Sequence, residues 1–137
     1  MRKVEAGMVE SIRDSIHSDK SGLIYKSGNT TVSIIHEGVY GTYSYHKTIE
    51  VALHDNVIAV IDPSLMRIKL SNCGYETVTT KSRLNVLIEC FTDMVGIHQH
   101  QHIWYQGDEL FDRECQGRFI LKDPAFHWQT RQALAIA

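Results

Sequence analysis

From Thr30 to Ser71 the apolar residues return at every second position, and beyond Thr79 their spacing stretches to three and four. A chain with those two periods in that order must make a sheet with one apolar face and then a helix to cover it. Ile49, Val51 and Leu53 alternate with Thr48, Glu50 and Ala52, while Met66, Ile68 and Leu70 alternate with Arg67 and Lys69. The alternation predicts strands over 30–36, 39–46, 47–54, 56–61 and 66–71. Glu37-Gly38, Asp55-Asn56 and Asp62-Pro63-Ser64 supply the breaks. The unbroken apolar run Val57-Ile58-Ala59-Val60-Ile61 reads as a central strand covered on both faces.

The helical period occurs twice. Val4, Met8, Val9, Ile12 and Ile16 share one face of a helix over 2–17, with Arg2, Lys3, Glu10, Arg13 and Asp14 mostly opposite. Leu84, Leu87, Ile88, Phe91 and Val95 form the second stripe, which Gly96 is placed to end. The intervening Ser18 to Asn29 is polar, with a turn at Ser27-Gly28-Asn29. A hairpin with strands near 98–106 and 109–113 follows around Gly107-Asp108, and Phe119-Ile120-Leu121 offers one more strand. Asp123-Pro124 gives a cap and a first-turn proline for a terminal helix to about Ala135, anchored by Phe126 and Trp128. The expected fold is α+β: an antiparallel sheet of about five to seven strands packed with an N-terminal, a central and a C-terminal helix, in one domain over 1–137.

A length of 137 residues suffices for a core without metal or disulfide staples. The net charge of −2 argues against a dedicated electrostatic nucleic-acid binder. Charge is nevertheless uneven: Leu65–Asn85 holds Arg67, Lys69, Lys81 and Arg83 against Glu76, whereas Val86–Cys115 holds six acids against Arg113. Cys73, Cys90 and Cys115 are odd in number and form no C-x-x-C pair, which favours free thiols and a cytoplasmic location. The opening Met1-Arg2-Lys3-Val4-Glu5 is no apolar leader, and the longest fully apolar run, Val57 to Ile61, is too short for a membrane span.

Chemistry concentrates at the start of the central helix. A helix N-terminus has unpaired N–H donors and about half a positive charge, so acidic side chains are its usual complement. Here Thr79, Thr80, Lys81, Ser82, Arg83 and Asn85 occupy that turn, with cations where acids are expected. Such a turn suits an anion from another molecule, a phosphate or a partner's carboxylate, and the outward Arg67 and Lys69 border the same region. The competing reading is a threonine helix cap, which by itself stabilises a helix by about 1 kcal/mol. The glycines of a phosphate-binding loop are missing, and no cofactor is implied.

Two other groups invite function. His98, His100 and His102 alternate along one strand, so their imidazoles share a face and suggest a metal-dependent hydrolase. The outer pair stands ~13 Å apart at the backbone, so two neighbours reach one ion more easily than three. A solvated strand face is the plainer reading. Tyr43 and Tyr45, with Tyr40 nearby, offer a face for stacking nucleobases or for packing within the sheet. Of Trp104 and Tyr105, which point to opposite faces, at least one enters the core. Nothing resembling a nucleophile elbow is present, so binding is favoured over catalysis.

Met1 to Glu5 with Met8, Ser27-Gly28-Asn29-Thr30-Thr31-Val32, Asp55-Asn56-Val57-Ile58-Ala59 and Leu70-Ser71-Asn72-Cys73-Gly74-Tyr75 occur in order. Thr79 to Asn85 and a later strand Trp, Trp104, complete the set. On these motifs, spread over about two thirds of the chain, the sequence resembles a family of small bacteriophage proteins. It differs in extra residues between Ile35 and Leu53 and in a longer tail after Phe111. The resemblance implies an accessory protein that acts by binding: inhibiting host transcription, blocking a defence nuclease or sequestering a nucleotide. Its partner would then be a host protein, a nucleic acid or a phosphate-containing ligand in the host cytoplasm.

Overall fold

The computed structural model describes residues 1–39 and 41–122. Helix α1 (Lys3–Ile16) precedes five strands, β1 (Gly22–Ser27), β2 (Thr30–Glu37), β3 (His46–Leu53), β4 (Asn56–Asp62) and β5 (Arg67–Ser71). Helix α2 (Val78–Phe91) follows, then β6 (Ile97–His100), β7 (Ile103–Gln106), β8 (Glu109–Leu110) and β9 (Glu114–Arg118). The large sheet is antiparallel in the order β1-β2-β3-β4-β5-β9, and β6-β7-β8 form a separate small sheet. The α+β class and antiparallel pairing match the expectation, with two helices among the described residues. The terminal helix expected from Asp123 lies outside them.

Alternation places Val32, Ile34, Ile49, Val51, Leu53, Ile68 and Leu70 on one buried face. Both helices lie on that face and run the same way. Glu5 meets Arg83 near their starts, and Arg13 sits over the Phe91 ring near their ends. Met8, Val9 and Ile12 of α1 join Leu84, Leu87, Ile88 and Phe91 of α2 in one core. Each such side chain, once buried, contributes about 2 kcal/mol. Trp104 of β7 is buried as well, tilted against Phe111.

Several elements depart from the expected pattern for local reasons. Polar 18–29 contains β1, whose alternation is masked by a bulge between Leu23 and Tyr25. The described residues 39 and 41–45 form no strand: Gly38 and Gly41 take positive φ, and turns close at Val39–Thr42 and Thr42–Tyr45. The run Val57–Ile61 is not covered on both faces, since Val57 is exposed and Val60 half-buried. A bulge opposite Val51/Ala52 instead buries two consecutive residues, Ile58 and Ala59. The β3–β4 turn is His54-Asp55, both with positive φ, one residue earlier than expected. Met66 is exposed with positive φ rather than inward.

The second half also shifts. The helical stripe stops at Phe91, Thr92 closes the helix, and Val95 is exposed. Gln101 and His102, both with positive φ, turn β6 back into β7, so the expected long strand is two short ones. The last strand among the described residues is polar Glu114–Arg118 rather than Phe119-Ile120-Leu121, because β5 offers an open edge for it to pair with. Phe119 enters the core against Phe91.

Gly7 lies inside α1, where a glycine costs about 1 kcal/mol relative to alanine. Its missing side chain admits Tyr25 of β1, whose hydroxyl donates to Val4 O at 3.0 Å. A Cβ there would overlap that hydroxyl and stand 2.7 Å from the ring carbon bearing it. Gly7→Ala is therefore expected to lower the melting temperature despite alanine's helix preference. A higher Tm in thermal denaturation would contradict this packing.

Candidate functional site

At one end of the sheet the β3–β4 turn, the β5–α2 loop and the first turn of α2 enclose a cleft of about 400 Å³. Leu53, Ile58 and Thr80 form buried parts of its lining, with Asn72. His54, Asn56, Tyr75, Thr77 and Thr79 complete it. The β5–α2 loop is held by the Asn72 side chain, whose Oδ1 accepts from Gly74 N–H at 2.7 Å, and by Tyr75 N–H donating to Asn72 O at 2.8 Å. Cys73 and Gly74 both take positive φ to make this tight path. The helix then starts at Thr77, whose Oγ1 accepts from Thr80 N–H at 3.1 Å and bonds the Thr80 hydroxyl at 2.8 Å. The cap is Thr77, ahead of the expected Thr79 or Thr80.

Thr79 and Thr80 thus belong to the cleft, and the other expected site residues are drawn elsewhere. Arg83 points into the core: Nη1 donates to Glu5 Oε2 at 3.0 Å and Nε to Thr30 Oγ1 at 3.2 Å. Ser82 Oγ donates to the same Glu5 oxygen at 2.6 Å, and Arg2 N–H donates to Oε1 at 3.2 Å. The acid that the α2 turn lacks in its own sequence comes from α1. Lys81 reaches the small sheet, donating to Gln99 Oε1 at 3.2 Å. Asn85 bonds both the C=O and the N–H of Ile97 and docks β6 onto α2. Arg67 and Lys69 lie on the solvent face of the sheet, where Lys69 Nζ stands 3.8 Å from Glu114. The four cations do not converge on the helix start, and Arg83 is matched by a carboxylate of the same chain.

The histidine strand also divides. His98 and His100 are on β6, His98 stacked on Tyr105, while His102 is in the turn. The three imidazoles therefore do not share a strand face. Tyr43 is fully exposed in the 38–45 loop. Tyr45 is instead half-buried, with its hydroxyl on His36 Nδ1, so these rings form no stacking platform; Tyr40 lies outside the described residues.

His54, Asn56, Asn72 and Tyr75 are the lining residues that the helix-start reading did not single out. Their signal was partly present, since Asn72-Cys73-Gly74 is a turn signature immediately ahead of a helix cap. His54 and Asn56 come from a distant turn, and only strand pairing brings them near. Among the described residues no Asp, Glu, Lys or Arg lines the cleft. The three thiols are free, and burial pushes that of Cys115 up, a hydrogen bond with Gln106 opposing it in part.

The fold and cleft define a small α+β protein with a hydroxyl- and amide-lined recess at a helix start. The chain belongs to the Kyanoviridae Gp96 protein family, a phage protein family whose model matches residues 1–123. No curated protein and no solved structure matches the chain. No helix among the described residues is long and apolar enough to cross a membrane.

Burial pushes the Glu5 carboxyl up, but hydrogen bonds from Ser82, Arg2 N–H and Arg83, with the Arg83 charge, outweigh it and hold the group below its ordinary 4.5. A lowered folded-state pKa gives stability that is complete above the unfolded value and lost as pH falls through the folded one. Below about pH 4.5 the native chain is expected to lose stability more steeply than Glu5→Gln, which is less stable at pH 7. Parallel stability profiles in urea denaturation between pH 7 and pH 3 would contradict the assignment.

Proposed function

We propose that this Gp96-family chain is a non-catalytic phage accessory protein that modulates host machinery by binding. Its partner, a host protein or a nucleic acid, presents an anionic group to the cleft at the start of α2. The observation carrying this reading is the lining itself: hydroxyls and amides at a helix N-terminus, with no carboxylate among the described residues to compete. The N–H groups of Val78 and Thr79 have no acceptor among the described residues, and the positive end of the helix favours negative charge there. Family membership supports the phage setting.

Lys81, Ser82, Arg83 and Asn85 act in this reading as scaffold, fixing α2 against α1 and the small sheet so that its first turn stays open. Arg67 and Lys69, on the solvent face, add at most a secondary basic border for a large partner.

Inorganic phosphate is the simplest probe. Binding to the folded chain raises stability by RT ln(1 + [L]/Kd), about 2.7 kcal/mol when phosphate is 100-fold above Kd. We expect phosphate to raise Tm relative to chloride at equal ionic strength, with the rise diminished in Thr79→Val. No phosphate-specific rise at any concentration would contradict an anion-receiving cleft.

A further inference from the structure

Asn72 adds an observation independent of the helix end. It is 2% exposed and lines the cleft. Its Oδ1 is committed to Gly74 N–H, which fixes the orientation of the amide and leaves Nδ2 as the donor on the other side. Nδ2 meets no acceptor among the described residues. An apolar group that covered this donor would leave it without a partner, at a cost of roughly 1–3 kcal/mol, so a group entering the cleft that accepts from it is favoured.

The free polar groups of the first turn and loop are thus mostly donors: the N–H groups of Val78 and Thr79, the Thr79 hydroxyl and Asn72 Nδ2. A carboxylate offers two oxygens to such a set, whereas a phosphomonoester offers three at tetrahedral angles and up to two negative charges. Beside the donors stand Leu53 and Ile58, buried, and the Tyr75 ring, 57% exposed. They supply an apolar wall and a flat aromatic surface suited to stacking a planar ring. Asn56 Nδ2 donates to His54 O at 3.2 Å, leaving its Oδ1 to accept from a ring amino group. A volume of about 400 Å³ falls in the range of small-molecule sites, enough for a single nucleotide.

We propose, resting on the cleft reading above, that its ligand is a nucleoside monophosphate group, free or at the end of an oligonucleotide. The phosphate oxygens accept from the α2 start and Asn72, and the base lies against Tyr75. Phosphate and base must act together, so neither half alone reproduces the affinity.

Isothermal titration calorimetry on the full chain with adenosine 5′-monophosphate, adenosine and inorganic phosphate tests this. The monophosphate is expected to bind at least tenfold more tightly than either half. Thr79→Val should weaken it about tenfold with little change in Tm. Asn72→Asp keeps the Gly74 acceptor but turns a carboxylate oxygen into the cleft, and should abolish binding. A 5′-phosphorylated oligonucleotide compared with its 5′-hydroxyl form separates the two sources: a preference for the phosphorylated end over the free nucleotide assigns a strand terminus, the reverse a free nucleotide. Monophosphate binding no tighter than phosphate overturns the ligand class while leaving the anion cleft standing. Failure of both to bind removes the two together, and monophosphate affinity unchanged in Thr79→Val and Asn72→Asp places the site elsewhere.

Discussion

Glu5 comes from the first turn of α1, Ser82 and Arg83 from the first turns of α2, and Thr30 from the first residue of β2. Their side chains meet where water has been removed, with the carboxylate and guanidinium 2% and 8% exposed. A buried ion pair gains little over an apolar pair of the same shape, because desolvation offsets much of the attraction. Losing one partner is different: the survivor is left charged and unmatched, at about 3–5 kcal/mol. Glu5 also accepts from Ser82 and Arg2 N–H, so both carboxylate oxygens are engaged. The arrangement fixes where α1 and α2 start relative to each other. It sets register as much as stability.

The candidate cleft follows from that register. With Arg83 turned inward, the cationic face of the helix start is used up inside the molecule. The same turn also carries Thr79 and two amides that have no acceptor among the described residues. Lys81 and Asn85 tie α2 to β6, and Lys47 closes the other end of α1 by donating to Ile16 O and Ser18 O. Lys81, Ser82, Arg83 and Asn85 are therefore committed to structure, while Thr79 opens on the cleft. The positive end of α2 has no acid of its own there, and an anion entering the cleft completes it.

The periods in the sequence made both helices and the β2–β5 meander legible, since each residue's face follows from its own spacing. Interruptions misled in both directions. A bulge hid β1, another imitated a doubly covered strand at Ile58-Ala59, and glycines with positive φ turned the described residues 41–45 into a loop. Polar β9 exists because β5 had an open edge, a property of the sheet and not of Glu114–Arg118. The start of α2 was recognisable as unusual, and Thr79 and Thr80 do line the cleft. The destination of Arg83 was not readable, because its partner is separated from it by 78 residues and contact between α1 and α2 exists only once both lie on the sheet. Asn72, His54 and Tyr75 needed the same assembled end of the sheet.

A double-mutant cycle on Glu5 and Arg83 tests the organising interaction most directly. Glu5→Gln, Arg83→Met and the double variant are compared with the native chain by urea denaturation at pH 7. The account predicts a coupling of at least about 2 kcal/mol, the double variant costing far less than the sum of the single ones. Additivity within about 0.5 kcal/mol would mean that the two residues do not share one buried site, and the register of the helices would then have another origin.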